Sequence, residues 1–371
     1  MAAMLQRALK ITPAVLRYAL ICAALLLFLE LLLLALYRIP YPYDLEWMEG
    51  ASVDHVRRVL SGQPLYLKPS LEFTPNIYPP LYYYLSALVS WLIGVGYLPL
   101  RLVAFTSSLG CFALIFALAR RETGSVFYAA LSSALYAGCF ELGGGWFDLA
   151  RLDCTLVFFL LAALAVLRFY PSLNGACLAG ATLALACFTK QTALMVAAPL
   201  CLCCFLVRGP RHGLVMTGTF ALLWVAATGL LQWSSQGWYA FFLFELPRQH
   251  SYFTPMLVLF WTHDLFLPLP AASLLAGWFL LSRFKARKAL SRAELEALVV
   301  QTPFLAATLV AAWLSRLHIG GSNNGLLPAY AAIALLFGPA LQRSLSGFAE
   351  RREPERGEAR TASGPEPMRL L

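Results

Sequence analysis

Three carboxylates, Asp44, Glu46 and Glu49, fall within six residues in the segment DLEWMEG, just past a long apolar run. Like charges held that close, beside aromatic residues, suit proton acceptance or cation binding. A solvated acid cluster ahead of a short helix (52–60) is the plain alternative. A second cluster, GGGWFDLARLD, places Asp148, Arg151 and Asp153 after three glycines that permit a tight turn. If a helix starts near Trp146, Asp148 and Arg151 stand at i, i+3 and can pair. Asp153 then falls in the first helical turn, a costly place for an ion unless it faces protein or a cavity. Lys190, in TKQT, stands alone between two apolar runs. An ammonium there either binds an anionic headgroup or snorkels to water. Arg316, His318 and Asn323 lie in RLHIGGSNN, where donors and two glycines make an anion- or hydroxyl-binding turn, or an ordinary polar loop.

These groups need a frame, and the composition dictates its kind. Of 371 residues, 60% are hydrophobic and 13% charged, against about a quarter charged in soluble domains. Apolar segments recur near 18–37, 81–93, 98–119, 125–142, 152–169, 174–189, 191–207, 213–232, 256–282, 297–315 and 325–342. Runs approaching ~20 residues cross a bilayer as helices, so the expected class is all-α and polytopic. The segment 81–93 is short, follows Pro79-Pro80 and carries three tyrosines, which suits an interfacial or re-entrant position. With it uncrossed, about ten spans put Arg120, Arg121, Arg168, Arg208, Arg211 and the RFKARK run inside, as the positive-inside rule asks. Both termini are then cytoplasmic, the first span is retained, and every acid–cation cluster above lies outside. Residues 38–80 form the long outer loop. The charged tail 343–371 is expected to be disordered. The formal charge of +9 reflects this loop bias, with no basic stripe to suggest nucleic acid. The nine cysteines lie in or at the ends of apolar runs, with no histidine at ligand spacing, and read as small packing residues. Glu30, inside the first span, is expected to make an interhelical hydrogen bond.

Over residues 15–340, an ordered set of motifs resembles the GT-C membrane glycosyltransferases, in particular the bacterial aminoarabinose and protein O-mannosyl transferases. The set is DLEWMEG after the first helix, GQPLY and NIYPPLY downstream, then ARLD, TKQTAL and GGSNN. The chain has Ile77-Tyr78 before Pro-Pro where some relatives have a Lys, and NNGLLP where an aromatic or acidic residue often follows. The resemblance implies a transmembrane glycosyltransferase domain over 1–342 with its catalytic loop at 38–80. It implies transfer of a sugar from a polyprenyl-phosphate donor to a lipid, glycan or protein acceptor, with inversion, at the outer face of the cytoplasmic (inner) membrane. By that likeness Asp44 is the base, with Glu46 or Glu49 as substitutes. Asp148, Arg151, Asp153, Lys190, Arg316, His318 and Asn323 are candidates for substrate binding. No cofactor is required, although three nearby carboxylates leave a divalent metal open. Two rival readings are a transporter or lipid-linked glycan flippase, which would favour ionisable groups near the midplane, and a non-catalytic assembly subunit.

Overall fold

The computed structural model describes residues 2–361, with side chains from 14 to 346. Its elements are helices: α1 (Ala2–Arg38), α2 (Glu49–Leu60), α3 (Leu81–Ile93), α4 (Tyr97–Thr123), α5 (Val126–Gly138), α6 (Asp153–Phe169), α7 (Leu173–Thr189), α8 (Leu194–Arg208) and α9 (Pro210–Ser234). Two short helices follow, α10 (Trp238–Ala240) and α11 (Leu246–Arg248), joined by a π-helical turn over Phe241–Glu245. Then α12 (Met256–Leu259) runs into π-helical Phe260–Phe266, followed by α13 (Pro270–Lys285), α14 (Arg292–Leu317) and α15 (Leu327–Thr361). Among the described residues the sole β pairing is an isolated bridge between Tyr252 and His318.

Six helices are long and apolar enough to cross a membrane, or seven if Met256–Phe266 and Pro270–Lys285 form one broken span. The ten-span expectation exceeds that number because several of its segments fold as shorter helices. Val126–Gly138 and Leu173–Thr189 are apolar but short. α3 has 13 residues, about 20 Å at 1.5 Å per residue, less than the ~30 Å hydrocarbon core. The apolar segment 256–282, counted as one span, bends by 97° at its break, where Pro268 and Pro270 remove backbone donors. The backbone of α15 continues as helix through 343–361, and 362–371, the rest of the tail expected to be disordered, lies outside the described residues.

Small residues let the helices approach closely, as membrane bundles require. A Cβ at Gly180 of α7 would lie 2.3 Å from the carbonyl oxygen of Met216 in α9, and one at Gly338 of α15 would lie 2.2 Å from that of Tyr128 in α5. The buried cysteines Cys111, Cys139, Cys154, Cys187, Cys201, Cys203 and Cys204 sit in the main apolar core, and all nine are free.

Ion pairs mark two ends of the bundle. At one end Glu122 of α4 meets Arg168 of α6 at 2.7 Å and Arg283 of α13 at 3.6 Å. Beside it Arg208 of α8 meets Glu296 of α14 at 3.0 Å, and Gln342 of α15 donates to the carbonyl of Thr123. The other end gathers the C-terminal ends of α1 and α7 and the N-terminal ends of α4 and α6, with the 39–48 and 139–152 segments between them. The charge asymmetry anticipated this grouping: the arginines assigned inside share one end, and the acidic clusters share the other.

Candidate functional site

The acidic segment 39–48 is held by one buried arginine. Arg101 of α4 donates to the carbonyls of Arg38 (3.0 Å), Tyr41 (2.6 Å) and Tyr43 (2.7 Å), and through Nε and Nη2 to both oxygens of Glu49 (2.9 and 2.6 Å). Glu49 also accepts from the backbone N–H groups of Ala150 (2.6 Å) and Leu45 (2.7 Å). Burial works to raise its pKa, but the Arg101 bonds and the two amides prevail and hold it below the usual carboxylate range. Both oxygens are therefore occupied, and Glu49 has no capacity left for a substrate proton. Arg101 carries no signal in spacing or neighbours. Only its type, a lone cation in the apolar run YLPLRLVAF, marks it out.

Glu46 accepts from Arg151 Nη1 at 2.9 Å and from the Met48 N–H at 3.1 Å through one oxygen, while its other oxygen is buried without a partner. Asp44 is exposed and lies beside the Tyr97 hydroxyl across from Gly50. Of the three carboxylates, it alone makes no ion pair among the described residues.

The glycine-rich segment departs from expectation in one respect. Gly144 and Gly145 do turn in the left-handed region (φ 83° and 74°), but the helix starts at Asp153, with Leu152 before it. Asp148 and Arg151 lie in the irregular stretch ahead of it and do not pair. Asp148 contacts Arg38 Nη1 at 3.2 Å, and Arg151 turns to Glu46, over the Trp146 ring at 4.6 Å. Asp148 is fully buried and neither oxygen accepts a hydrogen bond. Burial pushes its pKa up to about 6, against the opposing pull of Arg38.

Lys190 is no surface lysine, whether snorkelling or facing a headgroup unaided. It is 8% exposed, donates to Asp153 Oδ1 at 2.8 Å, and lies 5.6 Å from the centre of the Tyr78 ring. Burial disfavours its charge, but Asp153 and its hydrogen bond outweigh that and raise its pKa. Arg151 stands 5.8 Å from the same ring. Glu46, Arg151, Asp153 and Lys190 thus make a four-charge cluster around Tyr78, with one oxygen of each acid unpartnered.

A cavity of about 480 Å³ is lined by Lys190 and Tyr78 of this cluster; Glu46, Arg151 and Asp153 do not line it. Lys190, Gln191 and Thr192 form one wall, Trp47, Asn76 and Tyr78 another, and His250, His318 and Asn324 the rim. His318 lines the space and packs on Tyr252 with ring centres 4.9 Å apart. Arg316 faces Asp264 at 2.8 Å, and Asn323 is half-buried next to the lining residue Asn324. Of the candidate residues Lys190 and His318 line the cavity, whereas Asp44, Glu49, Asp148, Arg316 and Asn323 do not. Among the described residues no three His, Cys, Asp or Glu side chains are placed to hold a metal ion. Glu30 is exposed on the flank of α1, without the interhelical hydrogen bond expected of it.

Residues 78–239 match the sequence profile of the dolichyl-phosphate-mannose-protein mannosyltransferase family. ArnT from Cupriavidus metallidurans, solved bound to undecaprenyl phosphate, superposes with a TM-score of 0.58 at 18% identity, covering 86% of this chain and 60% of that one. The fold is GT-C. The Archaeoglobus fulgidus oligosaccharyltransferase, solved with a tethered acceptor peptide, gives 0.53 at 15% identity, covering 88% of this chain and 49% of its own. The chain described here spans less than two thirds of the length of either structure. No curated protein matches it.

Proposed function

We propose that this GT-C chain is a membrane glycosyltransferase that moves a sugar from a polyprenyl-phosphate donor to an acceptor hydroxyl or amine. The observation that carries the reading is a cavity lined by the buried Lys190 and by Tyr78, with Lys190 paired to Asp153 and Arg151 paired to Glu46 around the same Tyr78 ring. ArnT, a neighbour in fold, is known bound to undecaprenyl phosphate, and that supports a lipid-phosphate donor.

The chemistry follows from these residues. The acceptor heteroatom attacks the anomeric carbon as the bond from that carbon to the phosphate oxygen breaks. The electron pair leaves on the phosphate, and the acceptor's proton passes to a carboxylate. Attack opposite the leaving group inverts the anomeric centre. Lys190 and Arg151 stabilise the growing phosphate charge, a role suited to cations fixed in a water-poor site. Asp44 takes the proton, since Glu49 is fully engaged and Glu46 holds Arg151. No cofactor enters this scheme. The acceptor side is the outer face of the cytoplasmic membrane.

The deciding experiment is an assay of purified protein with polyprenyl-phosphate sugars, comparing wild type with Asp44→Asn. Sugar transfer by the wild type, lost in the variant, supports the reading. No transfer with any such donor would favour a non-catalytic subunit or a transporter.

A further inference from the structure

One wall of the cavity, residues 74–78, belongs to neither a helix nor a strand. It lies in the loop between α2 and α3, and backbone outside regular structure keeps its shape only through other partners. Three side chains hold it. Tyr66 donates its hydroxyl to the carbonyl of Tyr78 at 2.7 Å, and Gln191 donates to that of Ile77 at 3.0 Å. The third is His55 of α2, whose Nε2 accepts from the backbone N–H of Asn76 at 2.9 Å.

His55 is 1% exposed. Its ring packs against those of Phe73 and Tyr83, with centres 4.9 and 4.6 Å away, and its Nδ1 stands 2.7 Å from the carbonyl oxygen of Ala51. Both polar partners are backbone groups with one role each. The Ala51 carbonyl only accepts, so Nδ1 carries the hydrogen. The Asn76 amide only donates, so Nε2 carries the lone pair. The Asn76 side chain is fixed in turn, donating to the Tyr83 hydroxyl at 2.9 Å. The site therefore fits a neutral imidazole in one tautomer, and an imidazolium would aim N–H against N–H.

We propose that His55 is a positioning residue for the cavity wall, holding Asn76 to Tyr78 in place as a neutral imidazole and releasing them when protonated. Few charged or titratable groups face it. Asp54 and Arg58 of α2 pull in opposite directions, Tyr83 is the one on α3, and the wall itself brings none against the ring. Burial decides, and lowers the His55 pKa to about 4. An unfolded histidine titrates near 6.5, so the folded state binds this proton less well. The contribution of His55 to stability is fully present above about 6.5 and is lost as pH falls towards 4. The inference concerns the wall itself, and only its link to a lipid phosphate rests on the proposed function.

Amide hydrogen exchange of the full-length chain in nanodiscs reads the wall, with rates taken relative to the denatured chain at each pH. His55→Gln supplies an amide oxygen that can accept from Asn76 and takes no proton. His55→Leu fills the space without an acceptor. At neutral pH the stretch 70–80 should exchange roughly ten-fold faster in His55→Leu, the scale of one lost hydrogen bond to a buried amide. In His55→Gln it should stay near the wild-type rate. On acidification towards the His55 pKa, the wild-type wall should lose protection while His55→Gln keeps it. Undecaprenyl phosphate is the probe for the cavity. Its binding at neutral pH should weaken about ten-fold in His55→Leu and be restored in His55→Gln. Acid should weaken it more steeply in wild type than in His55→Gln, since the phosphate and the cavity's own His250 and His318 are common to both. Equal exchange in all three proteins at neutral pH, or parallel acid loss in wild type and His55→Gln, would overturn the proposal. The second comparison stands even if His55→Leu does not fold. Faster wall exchange with unweakened binding would overturn it too, by separating the wall from the cavity's ligand. Absence of binding in every protein would count against the lipid-phosphate donor instead, and the exchange rates alone would then decide for or against His55.

Discussion

Asp44, Lys190 and Asp148 each have a distinct, measurable consequence at the scale of single residues. Asp44→Asn should lower turnover by roughly 10²–10⁴, the usual contribution of a general base, while folding is unchanged because the exposed side chain packs little. Activity within a few-fold of wild type would move the role to Glu46. Lys190→Ala removes the partner of buried Asp153 and should cost about 3–5 kcal/mol of stability. Stability alone therefore does not test its role. Lys190→Met with Asp153→Leu removes both charges and should recover much of the stability while donor use stays lost. Recovery of normal donor kinetics in that pair would make the ion pair purely structural. Asp148 gives a pH signature. Its pKa is about 6 in the fold and about 3.9 in an unfolded chain, so the folded state holds the proton more tightly. Its contribution is fully present below the unfolded value and is lost as pH rises towards 6, on the order of 2–3 kcal/mol. Against Asp148→Asn, the wild type should thus lose relative stability between about pH 4 and 6, read by thermal unfolding in a pH series. A constant difference across that range would show that Asp148 does not titrate there. The sequence revealed these residues by type, since every one of them is an ion beside an apolar run. It concealed their pairing. Arg151 and Asp148 are close in sequence yet choose partners more than a hundred residues away, because the chain between them is not helical.

At the scale of elements, helix positions were largely legible because apolar runs end where glycine, proline or charge interrupts them. Two features were not. The π-helical stretches at Phe241–Glu245 and Phe260–Phe266 lie in aromatic-rich sequence that is equally apolar in any helical register. The fixing of the 39–48 segment was also hidden, since it depends on Arg101, a residue half a hundred positions downstream. That arginine uses a planar fork of donors, which a lysine cannot reproduce. Arg101→Lys should therefore leave several carbonyls unsatisfied and strand Glu49 as a buried charge, at a cost of about 3–5 kcal/mol. Limited proteolysis should show faster cleavage between residues 39 and 48 than in the wild type. An unchanged cleavage rate would mean that α2 and α3 hold the segment by packing alone.

At the scale of the whole molecule, charge counting along the chain foretold which segments share an end, because short loops carry their charges wherever the helices deliver them. The number of helices long enough to cross was less legible, since hydropathy does not register where a helix starts late or breaks. Sidedness is testable directly. Impermeant thiol reagent in intact cells should reach a cysteine at position 63 and not one at position 285, on a cysteine-free background. The reverse pattern would invert the assignment. Glu122, shared by Arg168 and Arg283, has one more consequence. It fastens α4, α6 and α13 together at the end farthest from the cavity, and the neighbouring Arg208–Glu296 pair does the same for α8 and α14. The opposite end is clasped as well, by Lys190–Asp153 between the ends of α7 and α6 and by Arg101–Glu49 between α4 and α2, so α4 and α6 are held at both tips. On the proposed reading, a long-chain donor would therefore reach the cavity beside Tyr78 and Lys190 between helices pinned at both ends, and not by their splaying apart.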